Sequence, residues 1–399
     1  MAVATSDIPV LAFDPYARDF IADPYPAYAA MRAAGPVFRL GAYDVWGLAR
    51  YQEVQAALSD WRSFTSAAGV GLADFRKEKP WRPPSLLLET DPPVHDRTRG
   101  IVDRVMQPAS VRKLRDDFTR DAIALVDRLV ARRRFDGVKD LAEIYPVKVF
   151  PDAVGLATEG RENLVPYGDM AFNAFGPFNE RFQASAARAD VVVPWIMASC
   201  ARAALRPGSL GAAVYEAVDR GEASEDEASL LVRSFLTAGM DTTVAAIGSA
   251  LHCFAANPGE WQKLRRDRGL ARAAFEEVVR LESPIQCFFR TTARDVEFAG
   301  TRLGAGEKML LFFGSANRDP ARFDEPDRFD ITRKPQAHVG FGTGIHQCVG
   351  QMIARLEGEV LLTALAERVV EIALDGEPVR RFNNSVRGLS SLPLAIRPA

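Results

Sequence analysis

The segment from Ser224 to Ala256 constrains the fold more than any other part of the chain. Ser224-x-x-Glu227 has the form of a capping box, in which the Ser side chain and the Glu side chain satisfy each other's free amides. Behind it a helical pattern continues until Asn257-Pro258-Gly259 stops it, giving one helix of roughly thirty residues, longer than most globular helices. Its centre, Leu230 to Phe254, is apolar on nearly all sides, so the helix is expected to run through a core rather than lie on a surface. Gly239, Asp241 and Thr242 interrupt that apolar stretch.

The remaining pattern is mainly helical with small sheets. A helix opens at Asp23-Pro24-Tyr25-Pro26 and runs through Met31, and alternation between Pro36 and Tyr51 around Gly41 predicts a hairpin. Helical spacing recurs from about His95, from Val111 to Arg133, from Asp140 onward, and from Leu270 to Glu282. Trp81-Arg82-Pro83-Pro84-Ser85 cannot be regular helix, and Gly176-Pro177 breaks the region from Phe172 to Phe182. Short strands are expected at Val296–Phe298, Thr301–Leu303 and Lys308–Phe313. A helix from about Val349 to Val369 is followed by hairpins. No linker-like run or internal repeat divides the 399 residues, which are 48% hydrophobic and supply a large core. A formal net charge of -2 argues against nucleic acid as a partner. The N-terminal segment shows no basic, apolar leader, so no membrane anchor and a cytoplasmic location are expected. Cys200, Cys253, Cys287 and Cys348 form no CxxC pair, which fits a reducing compartment. Each is by default a small buried hydrophobe.

Cys348 departs from that default because of its surroundings. Phe341-Gly342-Thr343-Gly344-Ile345-His346-Gln347-Cys348-Val349-Gly350 places it in a Gly-rich turn just before a helix. Glycines allow tight turning and close backbone approach to a flat group. Free amides at a helix start favour a thiolate. This segment resembles the haem-binding signature of the cytochromes P-450, with every fixed position matched in its bacterial, His-containing form. The resemblance extends over essentially the whole chain. It implies a single catalytic domain, 1–399, of the cytochrome P-450 fold, with a long central helix over haem b and the cysteine-ligand loop beneath it. Cys348 would bind the iron, with Phe341, Gly342 and Gly350 shaping its loop. A thiolate on haem iron favours O–O cleavage.

Three further matches accompany the loop. Glu277-x-x-Arg280 is an i, i+3 pair on one helix face. With Pro326-Asp327-Arg328-Phe329 it resembles the family's structural lock, giving Glu277, Arg280 and Arg328 structural roles. Ala238-Gly239-Met240-Asp241-Thr242 buries an acid and an alcohol in mid-helix, which is costly without a reason. An ordinary Thr bonded to its own helix turn is the bland alternative. The resemblance implies instead that Asp241 and Thr242 deliver protons for O–O cleavage, with Ala238 and Gly239 leaving room beside the haem. Asp91-Pro92-Pro93-x-His95-x-x-x-Arg99 resembles the family's entry into its third helix. It implies that His95 and Arg99, with Arg290 and His346, hold the haem propionates, and His338 lies close by in sequence.

Ser234, Ala238 and Asp241/Thr242 fall on one helical stripe, with Ser234 roughly 12 Å along the axis from Thr242. A substrate the size of a substituted benzene fits that span. The segments RPPS, FNAFG, LVRS and FFRTT are similar to those of the bacterial P-450 family that oxidises para-substituted benzoates. That likeness implies carboxylate recognition by Arg82, Ser85, Arg233 and Ser234, walls from Phe172, Phe175 and Phe288, and O-demethylation of 4-methoxybenzoate or hydroxylation of a 4-alkyl group. Surface arginines and ordinary core phenylalanines are the bland alternative. The family length leaves no room for a flavin or iron–sulfur module, so electrons are expected from a ferredoxin and its reductase docking on the Cys348 side of a monomer. Two other classes stand beside this one, a peroxygenase or dehydratase and a haem-binding sensor. The Asp241–Thr242 pair disfavours both.

Overall fold

The computed structural model describes residues 8–333 and 337–399. Residues 1–7, part of the segment expected to carry no leader, lie outside the described residues.

The capping box forms as its sequence dictates. Glu227 N–H donates to Ser224 Oγ at 3.1 Å and Ser224 N–H donates to Glu227 Oε2 at 2.9 Å. The expected single long helix is instead two, Glu225–Ala238 and Asp241–Ala256, which meet at Gly239–Met240. Local chemistry explains the break. Gly is a poor helix former, Met240 lies at the edge of the helical region (φ -96°, ψ -70°), and Thr242 Oγ1 donates to Ala238 O at 2.8 Å. The bare face of Gly239 is also needed elsewhere, since a Cβ there would lie 2.3 Å from the Phe150 ring. The apolar window of this helix pair is mostly buried by the rest of the fold.

Asp241–Ala256 packs on the helix Ala271–Glu282, which packs on Gln351–Arg368, and that helix in turn packs on Arg115–Arg132, in one apolar core that includes Leu251, Phe254, Phe275, Val278 and Leu361. The pattern read as Val111 to Arg133 divides into Pro108–Lys113 and Arg115–Arg132. Beside the helices lies a six-stranded sheet in the order Val10–Leu11, Phe38–Leu40, Val45–Leu48, Lys308–Phe312, Cys287–Thr292, Phe64–Thr65. Val45–Leu48 runs parallel to Lys308–Phe312, which pairs antiparallel with Cys287–Thr292 in the register Arg290↔Met309. The strands Val296–Phe298 and Thr301–Leu303 pair as expected. The tail supplies Val369–Leu374 and Pro393–Pro398, with Arg134–Asp136 alongside, and the separate pair Val379–Arg381 and Gly388–Ser391.

Candidate active site

The loop Phe341–Gly350 is closed by its own backbone. Cys348 N–H donates to Phe341 O at 2.8 Å, and Gly342 N–H to Val339 O at 2.8 Å. Gly344 has φ +72°, and a Cβ on it would sit 2.6 Å from Leu58 O, so only glycine lets the loop press onto the helix Tyr51–Ser59. Helix Gln351–Arg368 starts directly after Gly350. Cys200, Cys253 and Cys287 are buried, whereas Cys348 is exposed. Protein packing still pushes the Cys348 thiol up, while the amides of Gly350 and Gln351 and the charges of Arg99 and Arg355 oppose that rise. Phe341 is half-buried beneath the Arg355 guanidinium, 4.6 Å from its ring.

The predicted lock is present with one substitution of partner. Arg280 and Glu277 form a bidentate pair of 2.7 and 2.8 Å, both side chains almost wholly buried. Arg280 also donates to Asn317 O, Pro326 O and Arg328 O. Arg328, however, contributes only that carbonyl. Its guanidinium turns outward to Glu325 and is half exposed. The third cation is Arg333, whose Nε donates to Glu277 Oε1 at 3.2 Å and whose other nitrogens hold the carbonyls of Asp324, Glu325 and Arg328. Arg328 follows the motif Pro-Asp, but its side chain lies outside the fold at that turn.

His95, Arg99, Arg290 and His346 converge near the cysteine loop. The His95 and His346 rings meet at 4.6 Å, and His95 is buried with Nε2 unbonded. His346 Nδ1 lies 3.0 Å from Leu87 O, and Nε2 3.5 Å from Asp91 Oδ1. Arg290 is 3% exposed, donates only to Phe289 O, and is lowered to about 10 by burial, against which Asp91 acts. Arg99 differs from expectation. It donates to Ile345 O, Gln347 O and Asp103, and so clamps the cysteine loop itself. His338 bonds to Glu276 at 2.8 Å. An accessible cysteine, a buried His with a free nitrogen and a buried guanidinium lacking a carboxylate fit an iron porphyrin with acid side chains. Cys348 would ligate its iron, and His95, Arg290 and His346 would hold its propionates.

On the helix pair, Ala238 is exposed and Ser234, Gly239 and Thr242 are partly so, marking one accessible face. Asp241 is not on that face. It is fully buried and ion-paired with Arg381, which bonds Asp169 as well. Burial raises the Asp241 carboxyl, and the Arg381 charge opposes it. Sequence reading missed Arg381 because 140 residues separate the partners.

The four residues read as an acid site do come together. Ser85 Oγ and Ser234 Oγ are 3.4 Å apart. Arg233, buried, donates to Pro83 O at 2.8 Å. Arg82 pairs with Glu89 at 2.9 Å, and Glu89 also accepts from Ser85 N–H. Glu89 was missed by sequence reading, although its spacing of four from Ser85 is compatible with a turn. Phe172, Phe175 and Phe288 adjoin edge-to-face, at 5.8 and 5.3 Å, and Arg82 lies 5.9 Å from the Phe175 ring. Among the described residues six arginines are buried, namely Arg161, Arg233, Arg280, Arg290, Arg318 and Arg387. Four have a carboxylate partner. Arg233 and Arg290 have none, and a buried charge without one calls for a ligand.

Comparisons with known proteins agree with this geometry. Residues 207–390 match the family model described as Cytochrome P450. The chain is 55% identical over 393 residues to cytochrome P450 CYP199A2 of Rhodopseudomonas palustris, covering 98% of this chain and 95% of that one. It is 34% identical to cytochrome P450 107B1 of Saccharopolyspora erythraea, over 99% and 100%. Among solved structures it is similar to cytochrome P450 CYP109Q5 from Chondromyces apiculatus (TM-score 0.82, 30% identity, 97% and 99% covered). It is also similar to the epothilone B-bound cytochrome P450epoK (TM-score 0.87, 26% identity, 97% and 100% covered). The chain belongs to the cytochrome P450 family of haem-thiolate monooxygenases.

Proposed function

We propose that this monooxygenase oxidises a small aromatic carboxylate, a para-substituted benzoate such as 4-methoxybenzoate, at its para substituent. Arg233 carries the reading: a buried guanidinium with only backbone carbonyls as partners. Burial lowers Arg233, and Arg82 beside it acts in the same direction. Arg82 and Glu89 cancel, so the cluster keeps one net positive charge, which suits one carboxylate. The hydroxyls of Ser85 and Ser234 add donors, and the three phenylalanines supply flat walls for the ring.

When bound, haem supplies dioxygen activation at a thiolate-ligated iron. The protein's part is to hold the acid end by Arg233, Ser85 and Ser234 so that the para group lies near the accessible face of Ala238, Gly239 and Thr242. Thr242, on that face, would pass a proton to the reacting group, and Asp241 could relay one only by parting from Arg381. O-demethylation then balances as 4-methoxybenzoate, dioxygen, two electrons and two protons giving 4-hydroxybenzoate, formaldehyde and water. The electrons would come from a ferredoxin and its NAD(P)H-dependent reductase, docking on the Cys348 side of a cytoplasmic monomer.

The test is an optical titration of the ferric holoenzyme with 4-methoxybenzoate and, separately, 4-methoxybenzyl alcohol. A blue shift of the haem band with the acid alone is expected. No shift with either, or an equal shift with both, overturns the carboxylate anchor.

A further inference from the structure

Lys308 begins the strand Lys308–Phe312, but its side chain leaves the sheet to meet four backbone carbonyls of one short loop. Its Nζ donates to Ala73 O at 2.6 Å, Gly71 O at 2.8 Å, Gly69 O at 3.0 Å and Ala68 O at 3.4 Å. The ammonium has three hydrogens, so four acceptors use its full capacity and share one. Four carbonyl dipoles pointing at one spot repel each other, and a cation at the focus offsets that repulsion. The Phe289 ring lies 5.6 Å from the same nitrogen and adds a further electronegative face. The charged groups around it are Asp74, Arg76, Glu89 and Glu78. Burial lowers the ammonium to about 8 even so, and Asp74 works against that fall.

The gathered loop touches the aromatic wall at several points. Leu72 N–H donates to Phe175 O at 2.8 Å, and Phe289 N–H donates to Val70 O at 2.8 Å. Val70 is fully buried in the same apolar cluster as Phe172, Phe175 and Ala245, against which Phe288 packs. A Cβ on Gly71 would lie 2.8 Å from Phe175 Cα, so the loop backbone rests directly on that residue. Phe75 N–H donates to Ala68 O at 3.1 Å and closes the turn.

We propose that Lys308 is a positioning residue for substrate binding, a built-in cation whose charge gathers the carbonyls of the loop Ala68–Ala73 and so sets that loop against Phe175. The inference rests on the reading of Phe172, Phe175 and Phe288 as substrate walls. The charge, not the bulk of the side chain, is the agent. The cradle left by a shortened side chain should therefore accept a small cation from solution.

The test uses the haem-loaded enzyme with Lys308→Ala and Lys308→Met. Two quantities are read: the dissociation constant of 4-methoxybenzoate from the haem band, and hydrogen exchange at the amides of Leu72 and Phe75 without substrate. Each charged hydrogen bond contributes enough that both variants should bind roughly 10-fold to 100-fold more weakly, with exchange faster by a similar factor. Added propylammonium or potassium should restore Lys308→Ala, and tetramethylammonium at equal ionic strength should not. Lys308→Met, whose side chain fills the cradle without charge, should stay impaired. Normal binding and exchange in Lys308→Met, or failure of both small cations to restore Lys308→Ala, overturns the proposal. If the wild type itself shows no shift with 4-methoxybenzoate, the benzoate reading falls, and the exchange rates alone decide whether Lys308 holds the loop.

Discussion

Replacing Arg333 by Ala should destabilise the haem-side core, and replacing Arg328 by Ala should leave it unchanged. Arg333 is 13% exposed and makes four contacts, one to the buried Glu277 carboxylate and three to the carbonyls of Asp324, Glu325 and Arg328. Glu277 would keep Arg280 and the Asp330 amide, so its charge would not be stranded. The loss is then that of charge-assisted hydrogen bonds in a part-buried setting, about 1.5–3 kcal/mol. Arg280→Met is harsher, because it leaves Glu277 facing only Arg333 and the Asp330 amide at 3.2 Å each, and frees the carbonyls of Asn317 and Pro326. Breaking such a pair costs about 3–5 kcal/mol. An unfolding entropy of roughly 2.1 cal/mol/K per residue means that 399 residues shift their midpoint by about 1 °C per kcal/mol. The order of melting points should therefore be wild type equal to Arg328→Ala, then Arg333→Ala lower by roughly 2–4 °C, then Arg280→Met lower by roughly 4–6 °C. Thermal loss of the carbon monoxide band of the reduced enzyme, at one fixed scan rate, measures this order. An Arg328→Ala variant melting as low as Arg333→Ala would refute the assignment of Arg333 as the third member of the lock.

Thr242→Ala should divert electrons from product to peroxide, several-fold more peroxide per NADH than wild type, because the hydroxyl bonded to Ala238 O on the accessible face is lost; unchanged coupling would remove Thr242 from proton delivery. Glu276 gives a pH test: burial works against its ionisation, but His338 and Arg355 outweigh it and hold the carboxyl down to about 2. Its folded value lies below its unfolded one, so its contribution is present above pH ~4.5 and lost as pH falls toward 2. The melting-point gap between wild type and Glu276→Gln should shrink over that window, and a gap constant down to pH ~3 would contradict the pairing.

What the sequence made legible was what local chemistry decides. The capping box at Ser224, the strands Val296–Phe298 and Thr301–Leu303, and the cysteine loop form through bonds between near neighbours. The strand Cys287–Thr292 was not read as one, because its apolar run Cys-Phe-Phe carries no polar alternation in sequence that would separate strand from loop. The break at Gly239–Met240 was hidden by the unbroken apolar pattern on both sides, and only the Phe150 ring against Gly239 shows why the glycine is there. Glu89 meets Ser85 and Arg82 within its own loop, a local pairing that the sequence reading did not use; Arg333 and Arg381 were missed for a different reason. Each is set by a partner on another element, and an Arg in a sequence carries no mark of which carboxylate it will meet.

The buried arginines differ in how their donors are engaged and in whether a carboxylate faces them. Arg280 has five N–H donors, and all of its nitrogens are engaged by Glu277 and three backbone carbonyls. Arg161 is similarly occupied, by Asp152 and the carbonyls of Ala157, Lys148 and Leu156. Arg290 has one bond, and Arg233 has two, both from a single nitrogen to proline carbonyls. Among the described residues no nitrogen of Arg233 or Arg290 is both sealed and unbonded, so their idle donors face open space that an anion can enter, and each residue as a whole is buried. The two under-used groups lie on different elements, Arg290 in the strand Cys287–Thr292 and Arg233 in the helix Glu225–Ala238. Two separate anions therefore suit this fold better than one. The propionates of haem would account for Arg290, and Arg233, beside Ser85, Ser234 and the phenylalanines, would then be free for the acid group of the proposed substrate.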